Sequence, residues 1–202
     1  MKIIGLTGPS GVGKSCCASF FESIGFPIID ADKVYHTLIE KDSPCVRELV
    51  AEFGREILND DLGVDRKVLG NIVFSGQFPN RVERLNQITH KFVKVETFRL
   101  IDLFKSQGAS AVIIDAPLLF EADFHLFCDF CISVLAPRDL RLSRIIARDD
   151  LSEVQAKNRI ASQKEDSYYI KHSDYIIIND SDIKNLIEQM KKILKKEGFL
   201  NS

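Results

Sequence analysis

An α/β fold built on a five-stranded parallel sheet is predicted by three features of this 202-residue chain. Short apolar runs recur at Lys2 to Thr7, Pro27 to Asp30, Ala111 to Ala116, Phe130 to Ala136 and Asp174 to Asn179. Near-continuous runs of this length are the pattern of strands buried on both faces. Helical patterns lie between most of them, as crossovers between parallel strands require. Directly after the first run, Gly8-Pro9-Ser10-Gly11-Val12-Gly13-Lys14-Ser15 fits G-x-x-x-x-G-K-[ST], the phosphate-binding P-loop. Its four fixed positions match by accident in below roughly 1% of chains this long. The expected architecture is a P-loop NTPase core whose sheet is flanked by helices.

After the loop, Cys17, Phe20, Phe21 and Ile24 recur at i, i+3, i+4, i+7, the period of a helix with one apolar face. The chain therefore runs strand, glycine loop, helix. The second and third runs are about eighty residues apart, too far for a simple crossover, so a helical insertion is expected at about 38–108. Within it, Val46, Leu49, Val50 and Phe53 form a short amphipathic helix ended by Gly54, and a long helical stretch runs from about Pro79 to Gly108. This insertion reads as a part that covers substrate, with residues 1–37 and 109–202 as core and a lid at about 138–165. Ile183, Leu186, Ile187, Met190 and Leu194 mark a final helix packed on the core. The whole is expected to be one unit.

Composition narrows the function. A hydrophobic content of 45% is ample for an interior, and 27 Lys plus Arg against 29 Asp plus Glu supply no overall attraction to nucleic acid or an anionic membrane. The longest apolar stretch, Ala111 to Phe120, contains Asp115 and is too short to span a bilayer. The apolar start is interrupted by the P-loop, unlike a signal peptide, so a cytoplasmic location is expected. Five scattered cysteines fit that compartment. Cys128-Asp129-Phe130-Cys131 sits at the start of an expected strand, where residues three apart face opposite sides, which makes a poor metal half-site.

The P-loop amides and the positive end of the following helix suit a polyphosphate. Lys14 is expected to reach the β- and γ-phosphates, and the Ser15 hydroxyl to hold Mg²⁺. Gly8, Ser10, Gly11, Val12, Gly13, Lys14, Ser15 and Cys16 are the nucleotide-binding candidates. In Ile29-Asp30-Ala31-Asp32 a two-residue period puts both carboxylates on one side of an extended chain, at the strand ends where ligands bind. A carboxylate there, Asp32 or Asp30, can accept a proton from an attacking hydroxyl or hold a water on Mg²⁺; the alternative for Asp32 is an N-cap for the helix that follows. Asp115 closes an apolar strand as a Walker B acid does, supporting Mg²⁺ through water, or else is a turn former. Arg141, Arg144 and Arg148 share a helical face, which an anion would stabilise. Such a face on a mobile lid can neutralise a transferring phosphoryl group, whereas Asp139, Asp149 and Asp150 offer the alternative of solvated ion pairs. Ser152 and Gln155 form a capping box. Asp65 with Arg66 reads first as an N-cap and its neighbour, and His36 and His90 as structural or substrate-contacting histidines.

Taken together these motifs resemble the dephospho-CoA kinase family over nearly the whole chain. Gly5-Leu6-Thr7-Gly8 leading into Gly11 to Ser15, the Asp30-Ala31-Asp32 element, Phe53-Gly54 followed by Asp65-Arg66 and Leu69, and Pro117-Leu118-Leu119-Phe120-Glu121 occur in the family's order. Arg144, Arg148, Arg159 and Gln163 are similar to its lid, and Asp174 to Ile177 with Asn179 to its final strand near the adenine. The chain departs from the family at Pro9, Lys91, Arg141 and Ser173, where Gly, Pro, Gln and Ala are usual.

The resemblance implies transfer of the ATP γ-phosphate, with Mg²⁺, to the ribose 3′-hydroxyl of dephospho-CoA, the last step of coenzyme A synthesis. It makes Asp32 the catalytic base, with Lys14, Arg144 and Arg148 assisting. It places Asp65, Arg66, His90, Pro117 and Leu118 at the acceptor and Asn179 at the nucleotide. Another P-loop small-molecule kinase, such as a nucleoside monophosphate kinase, is the alternative enzyme. A nucleotide-switched binding protein is the alternative from another class, although no Asn-Lys-x-Asp accompanies the D-x-x-G at Asp60 to Gly63 to read guanine.

Overall fold

The computed structural model describes residues 1–75 and 80–200. Two compact units emerge, one of residues 1–28 with 104–202 and one of residues 29–103. The first unit carries the glycine loop.

Strand β1 (Lys2–Thr7) leads through that loop into helix α1 (Lys14–Ser23), and β2 (Ile28–Asp30) follows. After the second unit come β3 (Ala111–Asp115), β4 (Phe130–Leu135), α6 (Arg138–Asp149), α7 (Glu153–Ala161), α8 (Asp166–His172), β5 (Tyr175–Ile178) and α9 (Ile183–Lys196). The strands form one five-stranded sheet in the order β2-β3-β1-β4-β5. β3 and β4 are buried along their whole length, which explains sequences that are apolar except at Asp115 and Ser133. Parallel register sets Leu6 opposite Asp115, Thr7 opposite Ser133 and Leu135 opposite Ile178. The chain therefore leaves β1, β3, β4 and β5 at one edge of the sheet, which delivers the loop, Asp115, Ala136 and Asn179 to the same side.

Helices α1 and α9 cover a core built on Ile4, Leu6, Ile113, Ile132 and Val134. Cys17 and Phe21 are fully buried there, and Phe20 is partly buried against it, while Ile24 falls on the helix C-cap and is exposed. On α9 the buried stripe is Leu186, Met190, Ile193 and Leu194; Ile183 is 59% exposed, because it opens the helix just beyond its capping residue Asp182. A polar clamp ties the end of α9 to β1 and β5. Lys2 Nζ donates to Glu197 Oε2 at 2.8 Å, and Tyr175 Oη donates to Glu197 Oε1 at 2.5 Å. That hydrogen bond is the main cause that pushes the Tyr175 phenol up to about 12.

The cysteine pair departs from expectation. Cys128 lies in the turn that precedes β4, so strand alternation does not govern it. A side chain at Gly5 would have its Cβ 3.1 Å from both Cys128 Sγ and Cys131 Sγ, so the two sulfurs pack over the same spot on β1. Hydrogen bonding to Cys131, then burial, raises the Cys128 thiol above its ordinary range.

The second unit comprises α2 (Ala31–Glu40), α3 (Pro44–Phe53), α4 (Arg66–Phe74) and most of α5 (Arg81–Ser106). Pro79, the expected start of the long helix, lies outside the described residues. Ser43 caps α3 by accepting from Val46 N–H at 3.1 Å with Pro44 at the first helical position, and Gly54 ends it at φ 96°. Ile39, Val46, Leu49, Phe53, Ile57, Leu69, Val73 and Ile88 give this unit its own core. Among the described residues no helix is long and apolar enough to cross a membrane.

Leu49 is fully buried at the centre of that second core. Leu49→Ala is expected to cost about 2–5 kcal/mol of stability, from lost transfer energy plus the cavity left behind. Thermal and urea denaturation of the variant measure it, and a loss below about 1 kcal/mol would show a loosely packed insertion.

Candidate active site

The loop between β1 and α1 is held by its carbonyls. Arg141 Nε donates to Ser10 C=O at 3.1 Å, Arg144 Nη1 to Gly11 C=O at 3.3 Å, and Asn179 Nδ2 to Val12 C=O at 2.7 Å. The Gly13 carbonyl accepts from Cys16 N–H at 3.0 Å as α1 begins. Gly13 takes φ 86°, and any Cβ there would collide with the Asn179 carboxamide, so only glycine serves. With those carbonyls occupied, the successive amides from Gly11 to Ser15 are placed to form a concave anion site, while the Ser10 and Cys16 amides are engaged by Gln163 and Gly13 C=O.

Lys14 and Asp115 meet at this edge. Lys14 Nζ donates to Asp115 Oδ1 in a partly buried ion pair. The Cys17 thiol beneath is pushed up to about 12, chiefly by burial and further by Cys16 and Asp115. Cys16 is exposed in the same turn. Thr7 Oγ1 donates to Pro117 C=O at 3.2 Å, which anchors the turn after β3. In that turn Leu119 and Phe120 are buried, whereas Leu118 is 45% exposed.

The arginines do not form a common anion face. Arg141 is only 5% exposed, and besides Ser10 it reaches Gln163 Oε1 through Nη2 at 3.0 Å and Asp166 Oδ1 through Nη1 at 3.5 Å. Burial lowers its affinity for its proton, and Asp166 opposes this. Arg144 lies along the loop, on Gly11 C=O and, at 3.5 Å, on Val12 C=O and Asn179 C=O. Arg148 donates through Nε and Nη2 to Asp149 at 2.8 and 2.9 Å, and Arg159 Nη1 reaches the same carboxylate at 2.7 Å. One helical face thus divides into a buried strut, a loop contact and a surface ion pair, because side chains of this length follow the nearest acceptor. Of the three alternative acids, Asp149 is the partner.

Ser10 is held from outside the loop. Its N–H donates to Gln163 Oε1 and its hydroxyl accepts from Gln163 Nε2, both at 3.1 Å, so it supports the loop rather than facing the concavity. Contacts spanning 153 positions have no local signature in sequence.

The two acids after β2 also part company. Asp30, and not Asp32, is the N-cap of α2, its carboxylate accepting from Lys33 N–H at 3.0 Å. Asp32 already belongs to the helix's first turn, so the two-residue strand period does not reach it. Asp65 caps α4 through Lys67 and Val68 N–H at 2.9 and 3.0 Å, as expected from its spacing, with Arg66 next to it as the first helical residue. His36 lies on α2 with its ring 5.6 Å from that of Tyr35, and His90 lies within α5. Lys91, where proline is usual, lets α5 continue and pairs with Glu48 at 2.6 Å. Ser152 and Gln155 form the expected capping box at α7.

The donor set suits a hard divalent cation. One hydroxyl at Ser15 and one carboxylate at Asp115 match Mg²⁺, which keeps several waters and takes phosphate oxygens, better than an all-protein cage.

Comparison with known proteins adds the family. A dephospho-CoA kinase of Shouchella clausii is 36% identical over 194 residues, covering 96% of this chain and 97% of that one. The crystal structure of TT1252 from Thermus thermophilus is similar at a TM-score of 0.79 and 28% identity, over 96% of this chain and 97% of the other. A dephospho-CoA kinase from Campylobacter jejuni matches at a TM-score of 0.70 and 26% identity, over 96% of both chains. With the loop, its supporting arginines and the sheet order in place, the match of the dephospho-CoA kinase family model to residues 2–185 shows that the chain belongs to that family.

Proposed function

We propose that this protein transfers the γ-phosphate of ATP to the ribose 3′-hydroxyl of dephospho-CoA, giving coenzyme A and ADP in the cytoplasm without a nucleic-acid or membrane partner. One observation carries the reading: in a chain of this family, the loop's carbonyls are drawn outward and its amides left for a polyphosphate. The amides from Gly11 to Ser15 cradle the phosphates, with Gly8 opening the loop and Cys16 beside them in the first turn of α1. Lys14 leaves Asp115 for the β- and γ-phosphate oxygens. Mg²⁺, when bound, neutralises charge on the phosphates; Ser15 would ligate it and Asp115 hold one of its waters.

Arg144 is the readiest cation for the moving phosphoryl. Its hydrogen bonds of 3.3 to 3.5 Å are at the weak end of the range, so turning toward an anion forfeits little. Arg148 exchanges Asp149 for the same anion as the lid, about 138–165, closes. Asn179 supports the nucleotide side; Asp65, Arg66 and His90 of the helical insertion, and Pro117 and Leu118 of the first unit, are the acceptor residues. Asp32 accepts the hydroxyl proton. Phosphoryl transfer draws chiefly on positioning and charge, and a residue in the first turn of a helix is well fixed for that task.

Purified protein given ATP, Mg²⁺ and dephospho-CoA is expected to form CoA and ADP together, while a panel of nucleoside monophosphates gives no comparable turnover; the reverse preference would reassign the acceptor. Asp32→Asn is expected to lower kcat about 10²–10⁴-fold with ATP affinity nearly unchanged. Lys14→Ala is expected to weaken ATP binding as well as rate, read by calorimetry. Thiol reagents are expected to label exposed Cys16 before buried Cys17, whose ionisation near pH 12 keeps it a thiol at neutral pH. Saturating MgATP should slow Cys16 labelling, followed by mass spectrometry, and indifference to ATP would place Cys16 away from the cradle.

A further inference from the structure

Arg141 has no role in the chemistry above, yet it is among the most buried charged side chains described, at 5% exposure. Holding a guanidinium there costs desolvation, which several well-made hydrogen bonds must offset. Those bonds converge on one residue. Arg141 Nε holds the Ser10 carbonyl at 3.1 Å, and Nη2 donates at 3.0 Å to Gln163 Oε1. The same Oε1 accepts the Ser10 N–H, and Gln163 Nε2 donates to Ser10 Oγ, each at 3.1 Å. Asp166 Oδ1, 3.5 Å from Nη1, supplies the countercharge from the first residue of α8.

Two side chains from outside the loop thus occupy the amide, the carbonyl and the hydroxyl of Ser10. The next residue is locked as well. Gly11 takes φ 81°, and a Cβ there would come within 2.7 Å of the Arg141 carbonyl oxygen, so α6 lies directly on the loop. A peptide plane clamped at Ser10 fixes the direction of the Gly11 N–H, the first amide of the concavity, because the peptide group is planar. Gln163 sits in the turn between α7 and α8, so the clamp also ties the loop's shape to the position of that turn.

We propose that Arg141 is a positioning residue which, acting through Gln163 and the Ser10 peptide, sets the phosphate-binding conformation of the loop before nucleotide arrives. The proposal rests on the loop being the ATP site. Its effect belongs to ATP affinity, since a preformed cradle lowers the ordering cost of binding. A purely structural role would reduce the fraction of folded enzyme, which lowers apparent kcat and leaves KM unchanged.

The test compares wild type, Arg141→Ala, Arg141→Lys, Gln163→Ala and the double variant Arg141→Ala/Gln163→Ala. MgATP binding is measured by calorimetry without acceptor, and KM and kcat with both substrates. Arg141→Ala and Gln163→Ala are each expected to weaken ATP binding about tenfold, with KM for dephospho-CoA unchanged and kcat within about threefold. The double variant should be no worse than the weaker single, because both act on one clamp. Arg141→Lys should recover little, since one ammonium cannot span Ser10 C=O and Gln163 Oε1 as the guanidinium fork does. Unchanged ATP affinity in folded Gln163→Ala, multiplicative losses in the double variant, or full rescue by lysine would each overturn the proposal. If Arg141→Ala fails to fold, the Gln163→Ala affinity decides alone. Wild type that binds ATP but makes no CoA refutes the acceptor and leaves this test intact.

Discussion

A polyphosphate site made of backbone amides depends first on where the loop sends its carbonyls. Each is a partial negative charge that repels the ligand if it faces inward, and leaving it buried without a partner is costly. Here Ser10, Gly11 and Val12 hand theirs to Arg141, Arg144 and Asn179, and Gly13 gives its own to the first turn of α1. The sheet makes this possible. Leu135 pairs with Ile178, which brings Asn179 out of β5 beside the start of α6, and α6 carries both arginines against the loop.

Charge at the site is distributed by the same logic. Lys14 is balanced by Asp115, and Arg141 by Asp166. Among the described residues no carboxylate pairs with Arg144, whose partners are carbonyl dipoles. An incoming anion would therefore meet one cation held only loosely, Arg144, and two that must leave a carboxylate, Lys14 and Arg148. A chain of formal charge -2 can bind a strongly negative nucleotide because its positive charge is local.

What was legible in the sequence was local in the chain. The glycine loop, five strands, the capping boxes and caps at Ser152 and Asp65, and the amphipathic face of α3 all rest on residues within a few positions of one another. The departures come from strand rules carried two residues past the strand ends. Strand alternation was extended to Asp32, which is already helical, and to Cys128, which precedes its strand. The arginine spacing correctly gave one helical face, but long side chains choose partners that spacing does not reveal. The grip of Asn179 on Val12 spans 167 positions, and nothing in its neighbourhood marks it.

The two units divide the chemistry along the chain. The residues that hold the loop and those expected at the nucleotide lie in the first unit; Asp32, Asp65, Arg66 and His90 lie in the second, which has its own core. The glycine motif alone thus speaks only for the phosphate donor, and the residues expected at the acceptor fall in both units, Pro117 and Leu118 in the first. Within the second unit the opening of α2 keeps one of two neighbouring carboxylates clear of capping. Asp30 takes over the capping of the helix, binding Lys33 N–H and lying 3.8 Å from Lys33 Nζ. Asp32, two residues on, has the rigidity of the first turn without that duty. For a reaction limited by alignment, separating the acid that builds the helix from the acid expected to serve as base lets each be placed without compromise.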